Sequence, residues 1–191
     1  MTTSPASTTS PRARLPQKLG AILRRGYQVG YGLLFGRWLF EKLGRRSFIH
    51  PLASVRNHCS IRIGNEVTVS RNVCLWPSRL VLGDRVEVNP GVRIYGDVLI
   101  GDGVTIAPLA VIAGGNHGIA MDGVPMIEQP CTTKGIVIEK DVWIGARCSI
   151  LDGVTVAEGC VIGAGSVVTK STMSNGIYSG VPATLLKMRT V

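Results

Sequence analysis

One histidine stands apart in this chain. His50 and His58 lie close together upstream, and His117 is the only histidine from residue 59 to residue 191, set in Asn116-His117-Gly118. A neutral imidazole can take a hydroxyl proton at physiological pH, so a lone loop histidine is a candidate general base, although many such residues only hydrogen-bond their own loop. The other reactive side chains are less well arranged. The five cysteines (Cys59, Cys74, Cys131, Cys148 and Cys160) show no paired ligand spacing, and His50 and His58 are too far upstream to complete a metal triad with His117, so no metal site is expected. Their odd number argues against a disulfide framework and for a reducing cytoplasm.

What must position His117 is a repeat. Leu82, Val88, Ile94, Ile100, Ile106 and Ile112 stand six residues apart, and Ile138, Ile144, Ile150, Val156, Ile162 and Val168 do the same. Four residues after most of them comes a small or branched residue, from Val86 to Ala110 in the first run and from Val142 to Ser166 in the second. Ile63, Val69 and Leu75 keep the same spacing earlier, joined to Leu82 through a one-residue slip. A period of six suits neither an amphipathic helix nor a half-buried strand. It suits a chain that takes a short extended step, turns and repeats, so that stacked coils bury a continuous aliphatic column. Glycines after the aliphatics (Gly83, Gly101, Gly145, Gly163) fit tight turns or close approach of coils. Cys148 and Cys160 occupy the small inward position, where a thiol acts as a compact hydrophobe. Between Ile112 and Ile138 the hexads are interrupted by about two dozen residues, Ala113 to Val137, and His117 lies in that insertion; a solenoid can extrude such a loop without disturbing its column.

Composition agrees with a repeat fold. The 191 residues are 45% hydrophobic and 17% charged, which excludes wholesale disorder, and aromatics at 5% beside 24 glycines argue against an aromatic-filled core. The net charge of +9 is concentrated at one end: residues 1–48 hold nine Lys/Arg against one acid, and residues 49–191 hold twelve against eleven. A nearly neutral main domain without a basic aromatic face is not expected to bind nucleic acid, and anionic lipid is the more natural partner of the basic segment. Residues 1–17, rich in Ser, Thr and Pro, read as a disordered tail, and residues 18–48 as a basic, apolar helical segment. Its longest uncharged run, Gly26 to Gly36, has eleven residues, short of the roughly 20 a spanning helix needs. Neither a membrane span nor a signal peptide is expected, and the segment either lies in the membrane interface or packs on the domain or a neighbouring subunit. The location expected is therefore cytoplasmic, with peripheral contact at the inner membrane face an open option.

The pattern resembles the hexapeptide-repeat acyltransferases over residues 49–191. It is most specific in Lys134-Gly135-Ile136-Val137-Ile138-Glu139-Lys140-Asp141-Val142-Trp143-Ile144-Gly145-Ala146 and in Val161-Ile162-Gly163-Ala164-Gly165-Ser166-Val167-Val168-Thr169-Lys170, with Gly180-Val181-Pro182-Ala183 matching the end of the barrel. These runs are similar to the sugar O-acetyltransferase branch, which includes galactoside, maltose and capsule or exopolysaccharide enzymes. The resemblance implies an all-β, left-handed parallel β-helix with an N-terminal helical segment and a short C-terminal helix, assembled as a homotrimer.

It also implies a site. His117 matches the catalytic histidine that deprotonates the acceptor, and Asn89 matches an asparagine that holds the acceptor or the developing oxyanion, although Asn89 can equally be read as a ladder or turn residue. Acetyl-CoA is implied as co-substrate, with backbone at Gly145, Ala146, Gly163 and Ala164 along its pantetheine arm and Trp143 at the mouth. Thr169, Lys170 and Lys187, with Arg189, would meet its phosphates. Asp122, Glu128 and Gln129 in the loop are open candidates for orienting His117 or binding acceptor hydroxyls. The expected reaction is acetyl transfer to a sugar hydroxyl, of a surface polysaccharide or its precursor. The alternatives are an amino-sugar N-acetyltransferase acting on a nucleotide-linked sugar, and a catalytically inactive structural trimer, which the joint presence of His117, Trp143 and Thr169-Lys170 disfavours. γ-Carbonic anhydrases need three converging histidines, and serine acetyltransferases carry a large helical N-terminal domain; neither is present here.

Overall fold

The computed structural model describes residues 39–190, so the tail expected over 1–17 and most of the segment expected over 18–48 lie outside the described residues. From Lys42 onward the chain winds through three faces of parallel strands, a left-handed parallel β-helix. Face one stacks β1 (Lys42–Leu43), β4 (Ile61–Ile63), the ends of β6 (Cys74–Leu82) and β8 (Arg93–Ile100), β11 (Ile136–Ile138) and β14 (Thr155–Val156). Face two stacks β2 (Phe48–Ile49), β5 (Thr68–Val69), β7 (Glu87–Val88), β9 (Thr105–Ile106), β12 (Trp143–Ile144), β15 (Val161–Ile162) and β17 (Gly176–Gly180). Face three stacks β3 (Ser54–Val55), the starts of β6 and β8, β10 (Val111–Gly114), β13 (Ser149–Leu151) and β16 (Val167–Val168).

The six-residue period is the step from one face to the next. Ile94, Ile112, Ile150 and Val168 stack on face three, Val88, Ile106, Ile144 and Ile162 on face two, and Leu82, Ile100, Ile138 and Val156 on face one. All twelve are at most 2% exposed. Burying one such side chain contributes about 1.5–3 kcal/mol, so the column is the main source of stability. The second inward position is as well buried, and its one polar member, Ser166, donates its hydroxyl to the Gly163 carbonyl at 2.6 Å.

Where the hexads are irregular, the corner from face three to face one is enlarged. The first coil inserts a 3-10 turn, His58–Ser60, and the second a bulge between Pro77 and Arg79, which is the slip seen before Leu82. Gly83, Gly101, Gly145 and Gly163 serve close approach rather than turning: a Cβ on Gly145 would sit 2.6 Å from the Ala164 nitrogen on the next coil. The left-handed turn residues stand further along each corner and include Arg46, Glu66, Arg85 and Asp141.

Two expectations are corrected. Lys42–Leu43 and Phe48, within the segment expected to be helical, are strand instead, because Leu43 and the adjoining Ile49 fall opposite Ile63 and Val69 and extend the inward columns by most of a coil. The C-terminal helix is instead a strand, β18 (Ala183–Met188), antiparallel to β17. The last rung of a solenoid leaves an open sheet edge, and a hairpin strand satisfies its amides and carbonyls where a helix could not.

Candidate active site

The loop leaves face three after β10 and rejoins face one at β11. Its neck is an antiparallel bridge in which Asn116 and Thr132 exchange backbone hydrogen bonds of 2.8 Å. Asp152, one coil on, fastens both sides of that neck, accepting from the Asn116 amide at 3.1 Å and from the backbone N–H groups of Lys134 and Gly135 at 2.9 Å each. The Thr133 hydroxyl donates to the Gly114 carbonyl at 2.8 Å. One residue beyond the bridge, His117 and Cys131 face each other, Nδ1 lying 3.7 Å from Sγ. His117 is exposed and its Nε2 has no partner among the described residues; in the tautomer that donates Nδ1–H to Sγ, Nε2 carries the open lone pair that a general base needs.

Beyond this neck the loop is wound on Gln129, which is 6% exposed. Its Oε1 accepts from the Ala120 N–H at 2.8 Å, while Nε2 donates to the carbonyls of Ala120 at 2.8 Å and Val124 at 2.7 Å. Asp122 accepts from the Val124 N–H at 3.0 Å. Gln129 and Asp122 therefore hold the loop's shape, and neither hydrogen-bonds His117. Glu128 is exposed. Cys131, Thr133 and Asp152 position the histidine and carry no sequence signal for it: Asp152 looks like any coil-turn aspartate, and Cys131 becomes a neighbour only once the neck is paired.

The candidate acyl-donor residues line the corner between faces two and three. Gly145 donates its N–H to the Ile162 carbonyl at 2.8 Å and Gly163 to the Tyr178 carbonyl at 2.7 Å, so these two amides belong to the coil ladder. The amides of Ala146 and Ala164 make no hydrogen bond among the described residues. Two earlier rungs carry Pro90 and Pro108 at that position and have no N–H to offer. A pair of free donors one coil apart is what a pantetheine amide chain would pair with, and the side-chain-free Gly145 and Gly163 keep the approach open. Trp143 points outward from face two, 56% exposed. Thr169 and Lys170 follow β16 at the corner between faces three and one, both exposed, and Lys187 lies on β18 opposite Ile177. Arg189 is not free for a phosphate: its guanidinium pairs with Asp141 at 3.1 Å and donates to the Gly159 carbonyl at 2.6 Å.

Asn89 falls in the column of Ala107, Gly145 and Gly163, and its Nδ2 donates to the Ile106 carbonyl at 3.0 Å. One chain thus divides the candidate residues between two corners. Asn89 and the free amides share one, and His117 with Thr169 and Lys170 occupies the other.

A coil of this kind with an extruded histidine loop defines a class, and the chain belongs to the bacterial hexapeptide-repeat transferases. It matches the family described as bacterial transferase hexapeptide (six repeats) over residues 80–114 and 135–170, the interval between them being the loop. A protein of Escherichia coli (strain K12), assigned as an O-acetyl transferase of lipopolysaccharide biosynthesis, is 30% identical over 176 residues, covering 82% of this chain and 90% of the relative. Galactoside O-acetyltransferase of the same organism is 34% identical over 150 residues, covering 78% of this chain and 64% of that one. Among solved structures, an N-acyltransferase from Bacillus cereus in complex with dTDP and 3-hydroxybutyryl-CoA superposes with a TM-score of 0.72 at 25% identity, covering 80% of this chain and 85% of that chain.

Proposed function

We propose that the protein transfers an acetyl group from acetyl-CoA to a sugar hydroxyl of a surface polysaccharide or its precursor. The observation that carries this reading is the clasped loop neck, which presents His117 with Nδ1 against Cys131 and Nε2 open. In the proposed reaction Nε2 takes the acceptor hydroxyl proton as the oxygen attacks the thioester carbonyl. A second Nδ2 hydrogen of Asn89, beyond the one given to Ile106, steadies the oxyanion, and the intermediate collapses with C–S cleavage while His117 returns the proton to the departing thiolate. The free amides of Ala146 and Ala164 align the pantetheine arm, Trp143 covers its mouth, and Thr169, Lys170 and Lys187 meet the phosphates.

Because the two halves of the site occupy different corners, we place the working site between copies of the chain, His117 from one and Asn89 with the free amides from the next. The loop supports such contact, since Ile119, Met121, Met126 and Ile127 are 64–104% exposed and form an apolar surface suited to a neighbouring subunit in a homotrimer. No helix among the described residues is long and apolar enough to cross a membrane. The basic residues 18–48 are proposed to bring the enzyme to the cytoplasmic membrane face, where a lipid-linked acceptor would lie.

The likeness to O-acetyl transferases supports a hydroxyl acceptor. The likeness to a dTDP-bound N-acyltransferase keeps an amino sugar as the second reading. Free-thiol release from acetyl-CoA, measured with hydroxyl-only and amino sugars, separates them. His117→Ala is expected to lower turnover on the order of 100- to 10,000-fold. Full activity in that variant would place the base elsewhere.

A further inference from the structure

Face three carries a side-chain cluster that acetyl transfer does not use. Ala113, where the loop departs, lies opposite Tyr95, and Tyr95 lies opposite Trp76. Arg56 stands one rung earlier, its amide bonded to the Leu75 carbonyl. With rungs about 4.8 Å apart, the row extends about 14 Å from the loop root. It is held rigidly. The Arg56 guanidinium lies 3.7 Å from the centroid of Trp76, the indole N–H donates to the Ser54 hydroxyl at 3.0 Å, and Tyr95 meets Trp76 edge-on at 6.1 Å. Arg93, at the start of β8, neighbours Tyr95, whose hydroxyl holds the guanidinium pKa above its ordinary value. Arg56 and Arg93 are exposed, and neither has a carboxylate partner among the described residues, whose ion pairs involve Arg46, Arg62, Lys140 and Arg189.

Aromatic rings beside unpaired guanidinium groups match a definite chemistry. Pyranose C–H faces stack on aromatic rings, and a guanidinium takes a carboxylate or phosphate through paired N–H donors. We propose that Arg56, Trp76, Tyr95 and Arg93 form a subsite for an anionic carbohydrate unit of the acceptor, bound up to three rungs from the sugar whose hydroxyl meets His117. In taking the bound glycan as the acceptor, this rests on the acetyl-transfer reading. The enzyme then selects an acidic oligosaccharide over a monosaccharide, and the anion is either a glycan carboxylate or a sugar-linked phosphate.

Calorimetric titration of the full-length protein with tetragalacturonate, with neutral maltotetraose and with pyrophosphate tests it, beside the double variant Arg56→Gln/Arg93→Gln, whose fold is checked by its melting temperature. An anionic probe is expected to bind at least tenfold tighter than maltotetraose, with the advantage lost in the double variant and weakened by salt. Tetragalacturonate binding identifies a carboxylate subsite, and pyrophosphate binding alone identifies a phosphate one. Equal affinity for maltotetraose, no binding of either anion, or unchanged anion binding in the double variant overturns the subsite. Acetyl transfer with an acceptor KM untouched by the double variant also overturns it while sparing the acetyl-transfer reading. Arginine-dependent binding without any thiol release from acetyl-CoA does the reverse.

Discussion

A thiol 3.7 Å from the imidazole proposed to take the proton makes His117 chemically addressable. Cys59 and Cys131 are exposed, whereas Cys74, Cys148 and Cys160 are buried; burial pushes the Cys148 thiol up, and its S–H donates to the Gly163 carbonyl at 3.0 Å. The native protein is therefore expected to give two fast-reacting thiols with a disulfide reagent, and one in a Cys59→Ser background. Loss of acetyl transfer should track that single thiol, because an adduct on Cys131 crowds the ring it faces. Full activity with Cys131 fully modified would show that His117 does not work from this position. The sequence singles out His117, because an insertion in a strict repeat is conspicuous. Its supports are invisible there: the Cys131 pairing depends on the neck register across fourteen residues, and the buried Gln129 and the exposed Asp122 bond the loop's own backbone where an acceptor contact is the natural expectation.

At the scale of the elements, proline distinguishes coils that offer no amide at this corner from those that carry a free N–H. Ala146 and Ala164 follow Pro90 and Pro108 in the same corner column, so Ala164→Pro repeats a choice that the coil already accommodates. It should leave the melting temperature unchanged and raise the KM for acetyl-CoA about fivefold, the equivalent of one hydrogen bond of about 1 kcal/mol. An unchanged KM would remove this amide from the donor site. The third corner, between faces one and two, carries an acid-sensitive ladder. Asp84 accepts from the Asn65 N–H at 2.7 Å, a bond that lowers its pKa, and its own N–H donates to Asp102 at 2.8 Å. A depressed carboxylate stabilises the fold above its unfolded pKa, about 3.9, and that contribution is lost as pH falls through the lower folded value. Thermal melts below about pH 4 should drop more steeply for the native chain than for Asp84→Asn, which keeps an acceptor oxygen but cannot titrate. Parallel slopes would exclude this ladder as an acid-labile element. The coils are legible in the sequence because every sixth side chain enters one column. The β18 strand is not, because its six residues answer to the unpaired edge of β17 rather than to any period of their own.

For the whole molecule, the decisive property is that one chain holds its candidate site residues on two separate corners. If catalysis needs His117 from one copy and Asn89 from the next, each single variant is inactive for a different reason, and mixing them restores some complete sites. His117→Ala chains still offer Asn89 and the free amides; Asn89→Ala chains still offer the clasped histidine. In randomly mixed homotrimers each interface draws its two contributors independently, so about one quarter of the sites regain both groups. Co-expression of the two variants under separable tags, with purification of doubly tagged assemblies, should therefore recover activity well above either parent. A site built within a single chain predicts no recovery, since every chain then lacks one essential group. The experiment also decides what the exposed apolar loop is for: if Ile119, Met121, Met126 and Ile127 seat the loop on the neighbour, Met126→Asp with Ile127→Asp should lower the apparent mass in solution and abolish the complementation together. A variant pair that dissociates the assembly yet leaves turnover intact would return His117 and its partners to one chain.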